Sequence, residues 1–380
     1  MIIFLIQITG KRRRNESKSM TICIDCRMID ASGIGVYLRE SLPWLLQSGN
    51  GFHLLGNSGR LRCFTSNGNV KIIECNIKPF SLKELFFFPL KTARQINKAD
   101  FYFSPFFNIP HGIRIPVFTT IHDIVFPDMP ELTSRIGLAA RMWFYRRACK
   151  KSQKIFTVSE FSKSRIQHHL GTNKPVIVTH SAIQPMFLEY RANIRNVQKT
   201  QTIVFVGNIK KHKGLDLLLD AFRLARSEGL PHRLVVIGAK ENFRTSDNTV
   251  LQKIESLGNE AVIFTGFISN EELMDILSKA ALLIQPSLYE GFCLPPLEAM
   301  VLGTHALISD IPVLKEIYDG YPVTFFHTGN PSDLKDKLMD LLIGKKPSSP
   351  VLSDDLLLKY TFEKTASIIL KELKLDGIAP

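Results

Sequence analysis

An α/β protein with two parallel sheets is the fold class this sequence predicts, and three observations carry it. Short apolar, β-branched runs alternate with segments of helical periodicity along the chain, the pattern of parallel strands joined by crossover helices. At 380 residues the chain is too long for one ordinary core, and its 45% apolar content is enough for two. A polar stretch over 183–200, with Pro185, Asn193, Asn196 and little periodicity, separates two sets of such runs.

In the first set the strands are expected near 22–26, 61–65, 71–75, 101–103, 117–121, 155–158 and 176–178. The second set places them near 203–206, 233–237, 262–265, 282–285, 306–309 and 323–326. Each set reads as a Rossmann-like domain. The expected division is a disordered leader over 1–19, an N-terminal domain over 20–189, a C-terminal domain over 190–360 and a terminal helix over 361–380. The leader is expected because the basic residues 11–14 follow the short apolar start, the reverse of a signal peptide, and because Met20 precedes the first good strand. The terminal helix has Thr361 as a candidate N-cap and a stripe of Ala366, Ile369, Leu370 and Leu373 at helical spacing. Ligands of open α/β sheets bind beyond the C-terminal ends of the strands, so the cleft between two such domains is the expected site.

Composition excludes several classes. No apolar run approaches the length of a membrane span. The six cysteines, at 23, 26, 63, 75, 149 and 293, include one C-x-x-C and no second to complete a zinc site. Free, mostly buried thiols in a reducing cytoplasm are the expectation. Residues 1–190 carry 26 Lys and Arg against 12 Asp and Glu, a net of +14, and the remainder carries 22 against 23. One half is therefore expected to face an anionic surface. No nucleic-acid-binding motif is visible, which leaves an anionic membrane leaflet as the candidate.

The densest chemistry lies in Ser287-Leu-Tyr-Glu290-Gly291-Phe292-Cys293-Leu294-Pro295-Pro296-Leu-Glu298-Ala-Met300-Val-Leu-Gly303, directly after an apolar strand. The paired prolines suit a first helical turn, where a missing N–H costs nothing. Glu298 then lies in that turn and Glu290 in the loop before it. Loop amides and a helix N-terminus favour an anion. Two carboxylates beside such a site make sense when the ligand has both phosphates and hydroxyls, and a sugar nucleotide has both. Lys213 follows a strand–glycine turn at Gly207 and precedes a helix, a placement that suits a growing negative charge on a diphosphate leaving group. Gly33 and Gly35 follow the first strand and are expected in a loop before a helix starting near Tyr37, where glycine permits close backbone approach. Leu38 stands where a dinucleotide fingerprint needs a third glycine, which counts against NAD. His122 ends a strand, Ser159 follows one, Gly207 ends one and Glu290 follows one. Ser159 and Lys163 read as a helix cap and an outward lysine.

These segments together resemble the retaining family 4 glycosyltransferases, which have the GT-B fold: two Rossmann-like domains facing a central cleft. The resemblance runs from Asp25-Cys-Arg27 with Gly33-Ile-Gly35, through Thr120-Ile-His122-Asp123, Thr157-Val-Ser159 and Val206-Gly207-Asn208, to the motif around Glu290, and it is closest to bacterial mannosyltransferase-like members that assemble surface polysaccharides. It implies that the terminal helix crosses back onto the first domain. It implies that Lys213, with Lys210 or Lys211, binds the diphosphate, and that Gly35 lies beside the diphosphate and the acceptor. His122 would line the sugar pocket, Glu290 would contact the transferred sugar and Glu298 would take the ribose hydroxyls. Gly291, Phe292, Cys293 and Leu294 would pass the sugar phosphate. Relatives commonly have glycine at the Cys293 position, so donor choice is open there. No Asp-x-Asp pair stands at a strand end, so no metal or other cofactor is expected.

The implied function is transfer of a hexose, with mannose from GDP-mannose foremost, to a lipid-linked or growing surface glycan with retention of configuration. The alternatives are a UDP-sugar 2-epimerase of the same fold and a non-catalytic sugar-nucleotide-binding protein. The densest basic patch is Arg135, Arg141, Arg146, Arg147, Lys150, Lys151 and Lys154, interleaved with Ile136, Leu138, Met142, Trp143, Phe144 and Tyr145. It reads as a basic amphipathic helix suited to lipid headgroups. The expected location is the cytoplasm, with peripheral contact at the inner face of the cytoplasmic membrane.

Overall fold

The computed structural model describes residues 19–66, 68–194, 197–238, 248–258, 260–344 and 350–375. All but the last residue of the expected leader lies outside the described residues. The first sheet holds β1 (Thr21–Asp25), β2 (Gly51–Gly56), β3 (Val70–Glu74), β4 (Phe101–Ser104), β5 (Val117–Thr120), β6 (Ser152–Thr157) and β7 (Val176–Val178). Its order is β3-β2-β1-β4-β5-β6-β7, and every pairing is parallel. The second holds β8 (Thr202–Val206), β9 (Arg233–Ile237), β10 (Val262–Gly266), β11 (Leu282–Gln285), β12 (Ala306–Ser309) and β13 (Val323–Phe326). Its order is β10-β9-β8-β11-β12-β13, again all parallel.

Two sequence expectations fail in the first sheet. β2 was not anticipated, and residues 61–65 form no strand. Residues Ser58–Leu61 are a short helix and Arg62–Phe64 a 3-10 turn. The Asn57 side chain accepts from the Arg60 amide at 3.3 Å and starts that helix. A local cap wins here because Arg62 and Cys63 are exposed and no strand among the described residues pairs with them.

The helices that bear on function are α1 (Ser32–Leu46), α2 (Leu82–Phe86), α3 (Leu90–Ile96), α4 (Arg135–Lys151), α5 (Glu160–Leu170), α6 (Leu215–Ser227), α7 (Pro295–Val301), α8 (Pro312–Tyr318) and α9 (Phe362–Leu375). Helix α6 buries Leu215, Leu218, Leu219, Phe222 and Ala225, one face at helical spacing against the second sheet. Helix α5 is capped by Ser159, whose hydroxyl accepts from the Ser162 amide at 3.0 Å, and ends at Gly171 in the left-handed conformation. Thr361 caps α9 through the Lys364 amide at 3.2 Å. That helix buries Ala366, Ile369 and Leu373 and packs on α1 of the first domain. Thr365 donates to the His180 carbonyl at 2.6 Å, and Lys154 pairs with Glu372 at 3.1 Å.

The strand order reverses between β1 and β4 in one sheet and between β8 and β11 in the other. Those switch points open crevices at the C-terminal strand ends. The loops that leave β1, β4, β8 and β11 therefore meet where a ligand would lie.

Candidate functional site

The second domain supplies the charged centre. Lys213 lies in a 3-10 turn, Lys211–Lys213, after β8. Its ammonium donates to both Glu290 carboxylate oxygens at 2.8 Å. Ser287 donates to the same carboxylate at 2.7 Å, Gln285 donates to Ser287 at 2.9 Å, and Ser309 donates to the Ser287 carbonyl at 2.5 Å. The turn reaches Glu290 because Gly214 has φ +71° and because any Cβ there would overlap the Pro286 carbonyl. The Leu288 amide closes the junction on the His212 carbonyl at 2.8 Å. Burial works to raise the Glu290 pKa, and Lys213 outweighs it, so the carboxylate is held below its ordinary value. Burial likewise works against the Lys213 charge, and Glu290 outweighs it and raises that pKa. Gly207 directly follows β8 and donates to the Ile237 carbonyl at 2.9 Å. Lys210 and Lys211 are exposed on the same turn.

Glu298 sits in the first turn of α7, buried. Burial raises its pKa to about 7, and a hydrogen bond to Gln184 opposes that rise. Phe292 is buried against His180 and Tyr360, with ring centroids 6.1 and 5.2 Å away. Leu294 is half-buried at the start of α7. Cys293 is buried with φ +75°, in the left-handed region that favours glycine. The cysteine therefore occupies a backbone position shaped for glycine, and its carbonyl accepts from the Tyr318 hydroxyl.

The first domain supplies the opposing wall. His122 follows β5, and its Nε2 lies 2.8 Å from the Pro105 carbonyl, which can only accept. The ring therefore carries its proton on Nε2, and Nδ1 is left as an acceptor. Burial holds its pKa below the ordinary histidine value. Tyr37 meets its ring edge-on at 5.0 Å. Gly33 and Gly35 depart from expectation: α1 begins at Ser32, so both lie inside its first turn and not in a preceding loop. Only Gly35 is sterically required, since a Cβ there would stand 2.5 Å from the Ile29 carbonyl oxygen, whereas at Gly33 it would meet open space.

The two walls touch. A Cβ at Gly291 would lie 2.7 Å from the His122 carbonyl oxygen and 3.3 Å from Asp123 Cβ, so the absence of a side chain lets the Glu290 loop seat directly on the His122 segment. Three contacts that sequence reasoning missed hold this closure. The Glu316 carboxylate of α8 accepts from the Glu160 and Phe161 amides at the N-terminus of α5, both at 2.7 Å. Tyr289 packs on Phe161 with centroids 5.6 Å apart. Tyr289 also faces Asp128, which accepts from Arg165 Nε at 2.9 Å and pairs with His169 at 2.6 Å. Burial works to raise the Asp128 pKa, and hydrogen bonds from Arg165 and His169 outweigh it. Ser287, three residues before Glu290, was the one missed partner with a local signal.

The α4 patch is only partly free. Arg135, Arg146, Lys150 and Lys151 are exposed. Arg141 is engaged with Thr133 at 3.0 Å and lies 4.0 Å over the Phe126 ring. Arg147 donates to the Ile109 carbonyl at 2.6 Å. Lys154 is not on the helix at all but buried in β6. No helix among the described residues is long and apolar enough to cross a membrane. Five of the six cysteines are buried, and all six are free.

Two parallel-sheet domains whose loops meet at the switch points have the architecture of the GT-B fold. The Anabaena protein HepE in complex with UDP-glucose superposes with a TM-score of 0.68 over 93% of this chain and 99% of that one, at 15% identity. A glycosyltransferase from Rickettsia africae superposes at 0.67 with 15% identity, over 94% and 98%. A model of Glycosyltransferase Family 4 matches residues 31–186, and a model of glycosyl transferases group 1 matches residues 186–350. The chain belongs to this family. It is 26% identical to O-antigen chain mannosyltransferase B of Escherichia coli, over 59% of this chain and 61% of that protein. It is 27% identical to an uncharacterised glycosyltransferase of Methanocaldococcus jannaschii, over 62% and 60%. The chain thus spans about three fifths of the length of these curated relatives.

Proposed function

We propose that this protein transfers a hexose from a sugar nucleotide to a lipid-linked or growing surface glycan with retention of configuration, and that the donor is GDP-mannose. The observation that carries the reading is the Lys213–Glu290 pair, seated at the end of β8 and β11 and pressed by Gly291 against His122. An ammonium has three N–H donors, and Glu290 takes two, so one remains for a diphosphate oxygen. As the bond from the anomeric carbon to the phosphate oxygen breaks, charge grows on the diphosphate, and Lys213 is placed to stabilise it. The acceptor oxygen forms the new bond on the same face, and its proton passes to the leaving phosphate. Glu290 and His122 Nδ1 orient sugar hydroxyls, and Glu298 accepts from the ribose. No metal or other cofactor takes part in this scheme. The mannosyltransferase among the relatives supports the choice of sugar.

The test is a panel of GDP- and UDP-sugars with lipid-linked and soluble glycan acceptors, with and without chelator, reading the anomeric configuration of the product by NMR. GDP-mannose is expected to give an α-linked product. Epimerised free donor, or no turnover with any donor, would reject the reading. Lys213→Ala should weaken nucleoside diphosphate binding by roughly tenfold or more, as loss of a charge-assisted contact worth about 1.5–3 kcal/mol requires. A variant that binds as tightly as the parent removes Lys213 from the diphosphate site.

A further inference from the structure

Among the described residues of the first domain, the largest group of exposed apolar side chains is not on α4. It is the finger formed by α2, the turn after it and the start of α3. Leu82, Phe86, Phe87 and Leu90 are 72%, 62%, 75% and 69% exposed. On the same segment stand Lys78, Lys83, Lys91 and Arg94, all exposed. Between Asn76 and Lys98 the sequence has a single acid, Glu84, and it is buried. The water-facing part of the finger is thus apolar and cationic, with no anion.

The finger is held rigidly. Glu84 pairs with Arg27 at 2.6 Å, and Arg27 in turn pairs with Asp25 at the end of β1. Glu84 also accepts from the Phe80 amide at 2.6 Å and from the Asn108 side chain. Leu85 and Phe88 are buried beneath it. Phe80, with φ +64°, packs on Phe106, Phe107 and Phe144. A loop so anchored could have turned Phe86 and Phe87 inward, yet it presents them to water. Exposed apolar groups of this size ringed by charge mark an interaction site.

We propose that this finger is an interfacial membrane anchor: Leu82, Phe86, Phe87 and Leu90 enter the boundary between headgroups and acyl chains of an anionic bilayer, and the surrounding lysines and arginines bind its headgroups. The charge identifies the occupant. A second copy docking face to face would bring four cations against four. An anionic lipid surface complements both the apolar and the charged parts. The finger adjoins the cleft, because Phe80 packs on Phe106, the residue after Pro105, whose carbonyl holds His122. Anchoring there would bring the acceptor wall to the lipid. This deepens the acceptor side of the proposed function, but vesicle binding needs neither donor nor transfer, so the two can fail separately.

Co-sedimentation with vesicles of phosphatidylcholine, and of phosphatidylcholine containing about one third phosphatidylglycerol, tests it. The parent should bind the anionic vesicles and be released by salt. Phe86→Ser/Phe87→Ser/Leu90→Ser should lower partitioning by about tenfold or more while nucleotide binding and Tm hold. Lys83→Gln/Lys91→Gln/Arg94→Gln should remove the preference for anionic lipid. In a Trp44→Phe/Trp143→Phe background, Phe87→Trp should shift its emission to the blue on vesicle addition. The proposal is overturned if the parent ignores anionic vesicles, or if the serine variant binds as the parent does. It is also overturned if Arg135→Glu/Arg146→Glu/Lys150→Glu alone abolishes binding while the serine variant keeps it. A parent dimer that the serine variant dissolves would make the face a contact between copies and overturn it as well.

Discussion

The two domains share a topology and divide the chemistry. The second sets charge beside the cleft: Glu290 and Glu298 are buried there, and Lys213 is paired. The first also buries charge, in the Asp25–Arg27–Glu84 cluster, but uses it to hold a surface finger that exposes Leu82, Phe86, Phe87 and Leu90, whereas the exposed large apolars among the described residues of the second are Ile263, Phe267, Ile343, Val351 and Leu358. A donor nucleotide demands fixed, desolvated partners, and an extended acceptor or lipid surface demands an open one. The same fold thus serves two kinds of recognition according to which way its side chains face.

The sharpest break of this comparison is Glu290→Gln. It keeps the shape but leaves Lys213 beside a neutral amide. If the second domain carries the chemistry, kcat should fall by about two orders of magnitude, the usual scale for a charged contact at a reacting centre. Donor KM should change much less. A reversed pattern, with KM moved and kcat kept, would make Glu290 a simple binding contact. Steady-state kinetics with varied donor decides it.

Legibility in sequence follows the same division. In the second domain, expected and observed strands coincide at Arg233–Ile237, Leu282–Gln285, Ala306–Ser309 and Val323–Phe326. These runs are short and apolar, and the two central ones, Leu282–Gln285 and Ala306–Ser309, are buried throughout, so local pattern and tertiary environment agree. In the first domain the pattern failed where they disagree. β2 is bounded by glycines and interrupted by His53, which leaves a weak local pattern, and the expected strand at 61–65 gives way to a helix that Asn57 caps. At the site, Glu290 and Glu298 were legible because they share one contiguous motif. Glu316, Asp128 with Arg165 and His169, and Gln184 were not, because each acts across a separation that no local period records. The finger was missed because its clamp joins Arg27 to Glu84 through the fold.

A second prediction contrasts buried acids. In the first domain Glu84 is balanced by Arg27, whereas Glu298 in the second has only the neutral Gln184. Its folded pKa of about 7 lies above the ordinary 4.5. A carboxyl raised in this way favours folding below pH 4.5, and that advantage is lost as pH climbs to 7. The loss is on the order of 3 kcal/mol at most. Glu298→Gln should remove it, so denaturation of parent and variant should differ more in the variant's favour at pH 7.5 than at pH 4.5. Nucleotide affinity of the parent should rise through neutrality as the carboxylate forms, and that of the variant should stay flat. Parallel curves for the two proteins would mean that Glu298 is ionised throughout.

The smallest expected effect tests whether the two domains act as one. Glu316 is a charged link between them, with its carboxylate on two amides at the positive end of α5. It touches none of the proposed donor contacts, so its role is positioning. Glu316→Gln keeps one acceptor oxygen and loses the charge. The link is partly solvated, so the cost should be about 1 kcal/mol, below the full range for charged hydrogen bonds. Closure would then be less populated, and donor KM should rise about fivefold with kcat nearly unchanged. Small-angle scattering of the nucleotide-free protein should show a larger radius of gyration in the variant. Saturating nucleotide should bring the two proteins together, because the ligand restores closure from its own binding energy. If KM and scattering both match the parent, the packing of Gly291 on His122 and of Phe292 on Tyr360 holds the domains without help from Glu316. The carboxylate would then be a helix cap that happens to come from the other domain.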